Sequence, residues 1–409
     1  MRKWYKLDNV GKFYASISNI GVPKVFRYSA YLYDEIDSNI LQDALNKTIL
    51  IYPSFNVNLK KGFYWYYLDE NNKKIRVGKE NLPICFKLYK NSDDFLFRVS
   101  FYKNKINFEV SHIISDGRGS VEFFKLLLTN YINIRYSLNI DVNNDNKSQL
   151  EKSEDSFLKY YKKTKLPHNK NIIPYLYKGK RYKNQTRFIE CYLDSNDVLE
   201  FAHKYNSTMT AFLVSVLMYS FKDVLKVSDL NKTIKIDLPV DLRSYFSSYS
   251  SMNFFGLTSI LYKFSSKDDS LEDIISSVNK QFKENINAKK LSERVNLMVS
   301  FEKNIFCRLA PIFIKDIVLN VINKFTSQSS STCLSNIGVI KLDKNIEERI
   351  KKISVIVSTE SFQLTICTFK NKLCIGISNK FVNNDIIKNF CRYFSLNGIN
   401  IEADVNEVD

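Results

Sequence analysis

Hydrophobic and polar positions along this chain change rhythm several times, and each rhythm predicts an element. Residues 24–34 (KVFRYSAYLYD) are β-branched and aromatic and predict a strand. Ser38 reads as an N-cap, with Ile40, Leu41, Ala44, Leu45 and Thr48 on one helical face. Residues 62–69, 94–102 and 105–111 predict further strands, the last two joined at Asn104-Lys105. Ser120 is expected to cap a helix carrying Val121, Phe124, Leu127, Leu128 and Tyr131 and ending near Asn139. Residues 141–186 then lose the pattern. Their polar run DVNNDNKSQLEKSED and their basic, proline-broken run KKTKLPHNKNIIP predict a crossover linker. A strand at 187–193 follows, then TAFLVSVLMYSF (210–221), which is too apolar for a surface helix and too short for a bilayer. It predicts a buried central helix. A strand at 233–239 runs into Asp241-Leu242-Arg243, and residues 352–358, 361–369 and 373–379 alternate as an antiparallel group. The whole reads as α/β or α+β, with lobes at 1–140 and 187–409 and a sheet core in each.

Composition narrows the class. A length of 409 residues suits two domains or one double-lobed unit, and 44% hydrophobic with 25% charged residues is globular. The 25 Tyr and 30 Phe must supply much of the core and line any cleft. A net charge of +17 raises the question of nucleic acid. The lysines are spread along the chain, and no zinc-finger, RNA-binding or basic-zipper signature accompanies them, so nucleic acid is not expected as a partner. The positive field suits a phosphate-bearing co-substrate or an acidic carrier protein instead. The seven cysteines form no CxxC, so neither a zinc site nor a redox pair is signalled, and no metal is expected. The start MRKWYK lacks an apolar core, and no run approaches the roughly 20 apolar residues of a membrane span. The expectation is a reduced, cytoplasmic monomer.

The stretch INFEVSHIISDGRGSVEFF (106–124) carries the candidate chemistry. Ile106, Phe108, Val110 and His112 share a parity, so an unbroken strand aims His112 at the buried face. Asp116-Gly117-Arg118-Gly119 reads as a turn before a helix. On these residues alone His112 is either a core histidine satisfied by a carbonyl or a reacting group. The other two histidines, His168 and His203, lie in a basic and a polar run and read as surface positions.

His112-Ile113-Ile114-Ser115-Asp116-Gly117 resembles the HxxxDG signature of the chloramphenicol acetyltransferase-like superfamily, which includes condensation domains and alcohol acetyltransferases. Further segments in the same order resemble it too: LQDALNKTILIYPSF (41–55), MTAFLVSVL (209–217), IDLPVDLRSYF (236–246), MNFFG (252–256) and TCLSNIGVI (332–340). The residue before His112 is Ser111, where condensation domains carry a second histidine, and no Asp-Phe-Gly-Trp-Gly motif of the plant enzymes is present. The nearest branch is thus the alcohol acetyltransferase-like one. The resemblance implies two lobes, each with a mixed sheet flanked by helices, and an active-site tunnel between them. It implies that His112 is the general base, that Asp116 pairs with Arg243 as a strut, and that Gly117 allows a positive φ or close approach of the donor. Asn253, Ser335 and Asn336 are candidate substrate or oxyanion donors, the alternative for the last two being polar groups at a strand end.

The activity this implies is transfer of an acyl group from acyl-CoA to an alcohol or amine. A phosphopantetheine thioester on a carrier protein is the alternative donor, and a non-catalytic scaffold is the alternative of another kind. No permanently bound cofactor is expected.

Overall fold

A computed structural model describes residues 3–17, 23–141, 148–164, 172–183, 185–266 and 268–406. Two large mixed sheets organise them. In the first lobe the order is Ile350–Val357, Val25–Leu32, Lys105–Ser111, Phe97–Tyr102 and Gly78–Lys79, antiparallel except for the last pair. In the second the order is Phe255–Tyr262, Ile234–Asp241, Thr332–Ile340, Phe362–Phe369, Lys372–Asn379, Arg187–Asp194 and Glu402–Val405. Thr332–Ile340 runs parallel to both neighbours. A small three-stranded sheet joins Trp4–Lys6, Tyr66–Glu70 and Val57–Lys61.

The expected antiparallel group near the C-terminus is corrected for its first member. Phe362–Phe369 and Lys372–Asn379 do pair, but Ile350–Val357 crosses over and lies beside Val25–Leu32 of the first lobe. Alternation marks a strand without saying which sheet receives it. The predicted strand at 62–69 is also a hairpin: Gly62 opens a turn and donates to the Trp65 carbonyl at 3.0 Å. The tight connection after 97–102 falls at Lys103-Asn104, Lys103 taking φ +50°.

Two helices are capped by carboxylates one to four residues before the predicted serines. Asp37, not Ser38, accepts the Asn39 and Ile40 N–H groups of the helix Ser38–Ile51. Asp116, not Ser120, accepts the Gly119 N–H at 2.8 Å and caps Gly117–Tyr136. An aspartate at that position satisfies an orphan donor and also meets the positive end of the helix. Met209–Tyr219 is buried around its circumference, as its composition predicts.

The crossover region holds two short helices, Gln149–Lys152 and Ser156–Tyr160. It braces residues 248–254: Lys152 accepts the Ser251 N–H at 2.8 Å, Glu154 accepts the Ser250 hydroxyl at 2.7 Å, and Phe157 packs on Phe254. His203 is exposed on the helix Ser195–Lys204, and His168 lies outside the described residues.

Candidate functional site

The strand Lys105–Ser111 stops one residue short of His112, and Asp116 caps the next helix, so His112 lies in a four-residue loop anchored at both ends. Its backbone N–H donates to the Lys24 carbonyl at 2.9 Å. Its ring sits among aromatics, with centroids 4.5 Å from Tyr14, 4.5 Å from Phe26 and 5.6 Å from Phe255. Burial pushes its pKa down to about 4, so the ring is neutral at physiological pH.

One nitrogen of that ring is engaged and the other is not. Nδ1 lies 3.0 Å from Asn253 Oδ1, while Nε2 makes no hydrogen bond to a described residue. The roles follow from the amide. Asn253 Nδ2 donates to Asp8 Oδ2 at 3.0 Å and to the His112 carbonyl at 3.0 Å, so Oδ1 is the acceptor end. Nδ1 therefore carries the proton and Nε2 the lone pair.

Asp8 sets this orientation, and sequence reading misses it. It precedes the helix Asn9–Ile17, is fully buried, and accepts the Gly11 N–H at 2.7 Å on one oxygen. The other oxygen takes the backbone N–H of Asn253 at 3.1 Å as well as its side chain. Burial raises the Asp8 pKa to about 7 against the pull of these three donors. An aspartate ahead of a helix is visible in sequence as a cap; its partner 245 residues away is not.

Asp116 and Arg243 meet as the resemblance implies. Arg243 Nη1 lies 3.0 Å from Asp116 Oδ2 and 2.9 Å from Asp241 Oδ1, and its other nitrogens bind the Ser250 and Met252 carbonyls. Asp116 Oδ2 also accepts the Phe254 N–H at 2.7 Å. The pair therefore ties the histidine loop to residues 250–254 of the other lobe and leaves Asp116 outside hydrogen-bond contact with the His112 ring. Gly117 is not a positive-φ residue; it is the first residue of a helix, and an added Cβ would meet Ile337 Cδ1 at 2.5 Å. Gly119 is more tightly confined, with a Cβ 2.1 Å from the Ser251 carbonyl oxygen.

A cavity of about 510 Å³ opens beside His112 and takes its lining from both lobes, including Tyr14, Phe26, Asp241, Leu257, Cys333 and Ser335. The Ser335 hydroxyl lines the cavity and makes no hydrogen bond to a described residue. Asn336 also lines the cavity, but its amide is used by Thr210 at 2.7 Å and by the Gly338 N–H at 2.8 Å. Asn253, with both N–H groups spent on Asp8 and His112, has none left for the cavity. Lys24 and Arg118 bring positive charge to the lining. Burial pushes the Cys333 thiol up, so it stays protonated and weakly nucleophilic.

Known proteins of this fold share the two-lobed arrangement. Coverage is nearly complete for TRI101 from F. graminearum, complexed with coenzyme A and T-2 mycotoxin: 98% of this chain and 99% of that one, with TM-score 0.66 and 11% identity. TRI3 trichothecene 15-O-acetyltransferase from Fusarium sporotrichioides matches with TM-score 0.64 and 10% identity over 96% and 94% of the two chains. The epimerization domain from the third module of tyrocidine synthetase B matches with TM-score 0.62 and 12% identity over 97% and 95%. The fold is thus the chloramphenicol acetyltransferase-like one of condensation domains and these acetyltransferases. No family model matches the chain, and no curated protein matches it by sequence.

Proposed function

We propose that this chain is an acyltransferase that moves an acyl group from a thioester to an alcohol or amine, with His112 as general base. The observation that carries the reading is the locked tautomer: Nδ1–H is held by Asn253, and the basic Nε2 is left free beside the interlobe cavity. Nε2 takes the acceptor's proton as its oxygen or nitrogen attacks the thioester carbon. The resulting oxyanion can receive a hydrogen bond from the Ser335 hydroxyl. Collapse breaks the C–S bond, and the departing thiolate takes the proton back from Nε2. The products are an ester or amide and a free thiol, with the enzyme unchanged. A buried imidazole with a low pKa returns that proton readily. Direct transfer is favoured because the lining thiol, Cys333, is held protonated.

Acyl-CoA is the donor favoured here, supported by the coenzyme A bound to a protein of the same fold and by the cations Lys24 and Arg118 at the cavity. The test supplies purified protein with a panel of acyl-CoA donors and alcohol or amine acceptors, and follows thiol release together with product mass. His112→Ala should lose about 10²–10⁴-fold in kcat. A His112→Ala enzyme as fast as wild type would sink the assignment. Turnover only with an acyl group loaded on a carrier protein would move the donor to phosphopantetheine. Wild-type inactivity with every pair would favour a scaffold.

A further inference from the structure

The helix Ile312–Thr326 is inverted relative to an ordinary surface helix. Lys315, Asp316 and Asn320 point inward. Lys315 Nζ donates to the Tyr64 carbonyl at 2.8 Å and lies 3.6 Å from the Trp65 ring centroid. Asp316 accepts the Tyr66 hydroxyl at 3.1 Å and pairs with Lys61, and Asn320 donates to the Ser16 carbonyl at 3.2 Å. Apart from the buried Ile312 and the half-buried Leu319, the apolar side chains point outward. Phe313, Ile317, Val321 and Phe325, four residues apart, form one exposed row. Ile314, Val318 and Ile322 form a second beside it. The preceding segment adds Phe306, 83% exposed, and Leu309, and the adjoining hairpin adds Phe63, whose carbonyl accepts the Ile312 N–H. Isolated exposed apolar residues are ordinary; a continuous face of this extent is not.

We propose that this face is a peripheral membrane-binding surface that seats on an anionic lipid bilayer. Charge decides among the possible occupants. The exposed cations Lys303, Arg308 and Lys324 lie within the segment 303–326 that carries the face, and none forms an ion pair with a described residue. The two carboxylates of the segment are already matched, Glu302 by Lys12 and Asp316 by Lys61. A second copy of the chain would bring these cations, and a net charge of +17 on each molecule, face to face. Acidic headgroups neutralise them while the Phe and Ile side chains enter the acyl boundary. The helix lies in the interface plane rather than crossing it. Its 15 residues span only about 22 Å, against about 30 Å of hydrocarbon. No helix of the described residues is long and apolar enough to cross a membrane. The opposite, inward side of this helix packs on the helix Asn9–Ile17, which carries Tyr14 to the His112 ring, so a bilayer-resident acyl donor or acceptor would meet the molecule on the flank next to the cavity.

Vesicle co-sedimentation of the full chain tests this without reference to turnover. Wild type should pellet with phosphatidylcholine–phosphatidylglycerol vesicles, less with phosphatidylcholine alone, and less at high salt. The triple variant Phe313→Gln, Ile317→Gln, Phe325→Gln should lower the partition coefficient at least about tenfold, because three apolar insertions are removed. Its melting temperature should stay at the wild-type value, since the altered side chains are exposed. Lys303→Glu, Arg308→Glu, Lys324→Glu should abolish the preference for the anionic lipid. Wild type remaining in the supernatant with both vesicles would overturn the proposal, as would a glutamine triple that pellets like wild type. So would a lipid-free dimer, seen by sedimentation equilibrium, that the glutamine triple dissociates while vesicles bind neither form.

Discussion

Asp8 and His112 are joined through Asn253, and the protein shifts their pKa values in opposite senses. The consequences for stability nearly cancel. A carboxyl group raised to about 7 contributes stability that is complete below its unfolded value of about 3.9 and is lost as pH rises through 7. An imidazole lowered to about 4 contributes stability that is complete above about 6.5 and is lost as pH falls through 4. Removing one group exposes the slope of the other. Relative to wild type, His112→Ala should lose stability as pH rises from 4 to 7, and Asp8→Asn should gain it from 4 to 6.5. Urea midpoints across that range check both signs; parallel curves for wild type and both variants would refute the coupled burial. Activity follows a different rule, because ionised Asp8 offers lone pairs to all three of its donors, whereas a proton on either oxygen sets an O–H against the Gly11 N–H or the Asn253 donors. The acid limb of kcat/KM is therefore expected near pH 7, where Asp8 titrates, and not near 4. Asn253→Ala frees the ring to adopt the wrong tautomer and leaves Asp8 short of donors. It should cost on the order of 10²-fold in kcat with little change in KM for the thioester. A melting temperature equal to wild type separates this loss from misfolding, which would lower the active fraction and so depress apparent kcat with KM unchanged.

Between the histidine loop and the 250–254 segment, two glycines and one arginine hold the geometry. Gly119→Ala would drive a Cβ into the Ser251 backbone, two residues from Asn253, and should cost about 1–3 kcal/mol of stability along with most of the activity. Gly117→Ala meets only the tip of the Ile337 side chain, which can turn aside, and gains about 0.5–1 kcal/mol of helix propensity. Comparing the two by thermal melts and turnover separates packing at the lobe seam from donor approach. A Gly117→Ala enzyme that is stable yet inactive would support the expectation that the donor passes over Gly117. This seam also shows what is legible in sequence. The His112 loop, the Asp116 cap position and Arg243 belong to an ordered set of short segments, each with its own local pattern. The caps are Asp37 and Asp116 rather than Ser38 and Ser120, because several polar residues near a helix start can accept its free N–H groups and only their reach decides between them. Asn253 is picked out by the resemblance of MNFFG (252–256), but its role depends on Asp8, and no local pattern connects positions 245 apart.

At the scale of the molecule, the strand Ile350–Val357 makes the two lobes one folding unit. It leaves the second half of the chain, forms the edge of the first sheet against Val25–Leu32, and buries Ile350, Ile353 and Val355 in the first lobe's core. Without it the first lobe would expose Val25–Leu32 as an unpaired edge and lose those three side chains, each worth about 1.5–3 kcal/mol when buried. Domains retain about 5–15 kcal/mol in total, so the loss is comparable to the whole stability. The second lobe, deprived of its host sheet, would present an unpaired apolar strand to water. Residues 1–186 expressed alone should therefore lack a cooperative melt and aggregate, and 187–409 alone should do the same. The intact chain should melt in a single transition by both circular dichroism and calorimetry. A fragment comprising residues 1–186 followed by 345–360 through a flexible linker should recover cooperative unfolding, because it restores the missing edge. If 1–186 melts cooperatively without that strand, the crossover is a tether between independent lobes, and the interlobe cavity beside His112 would be free to open on its own hinge.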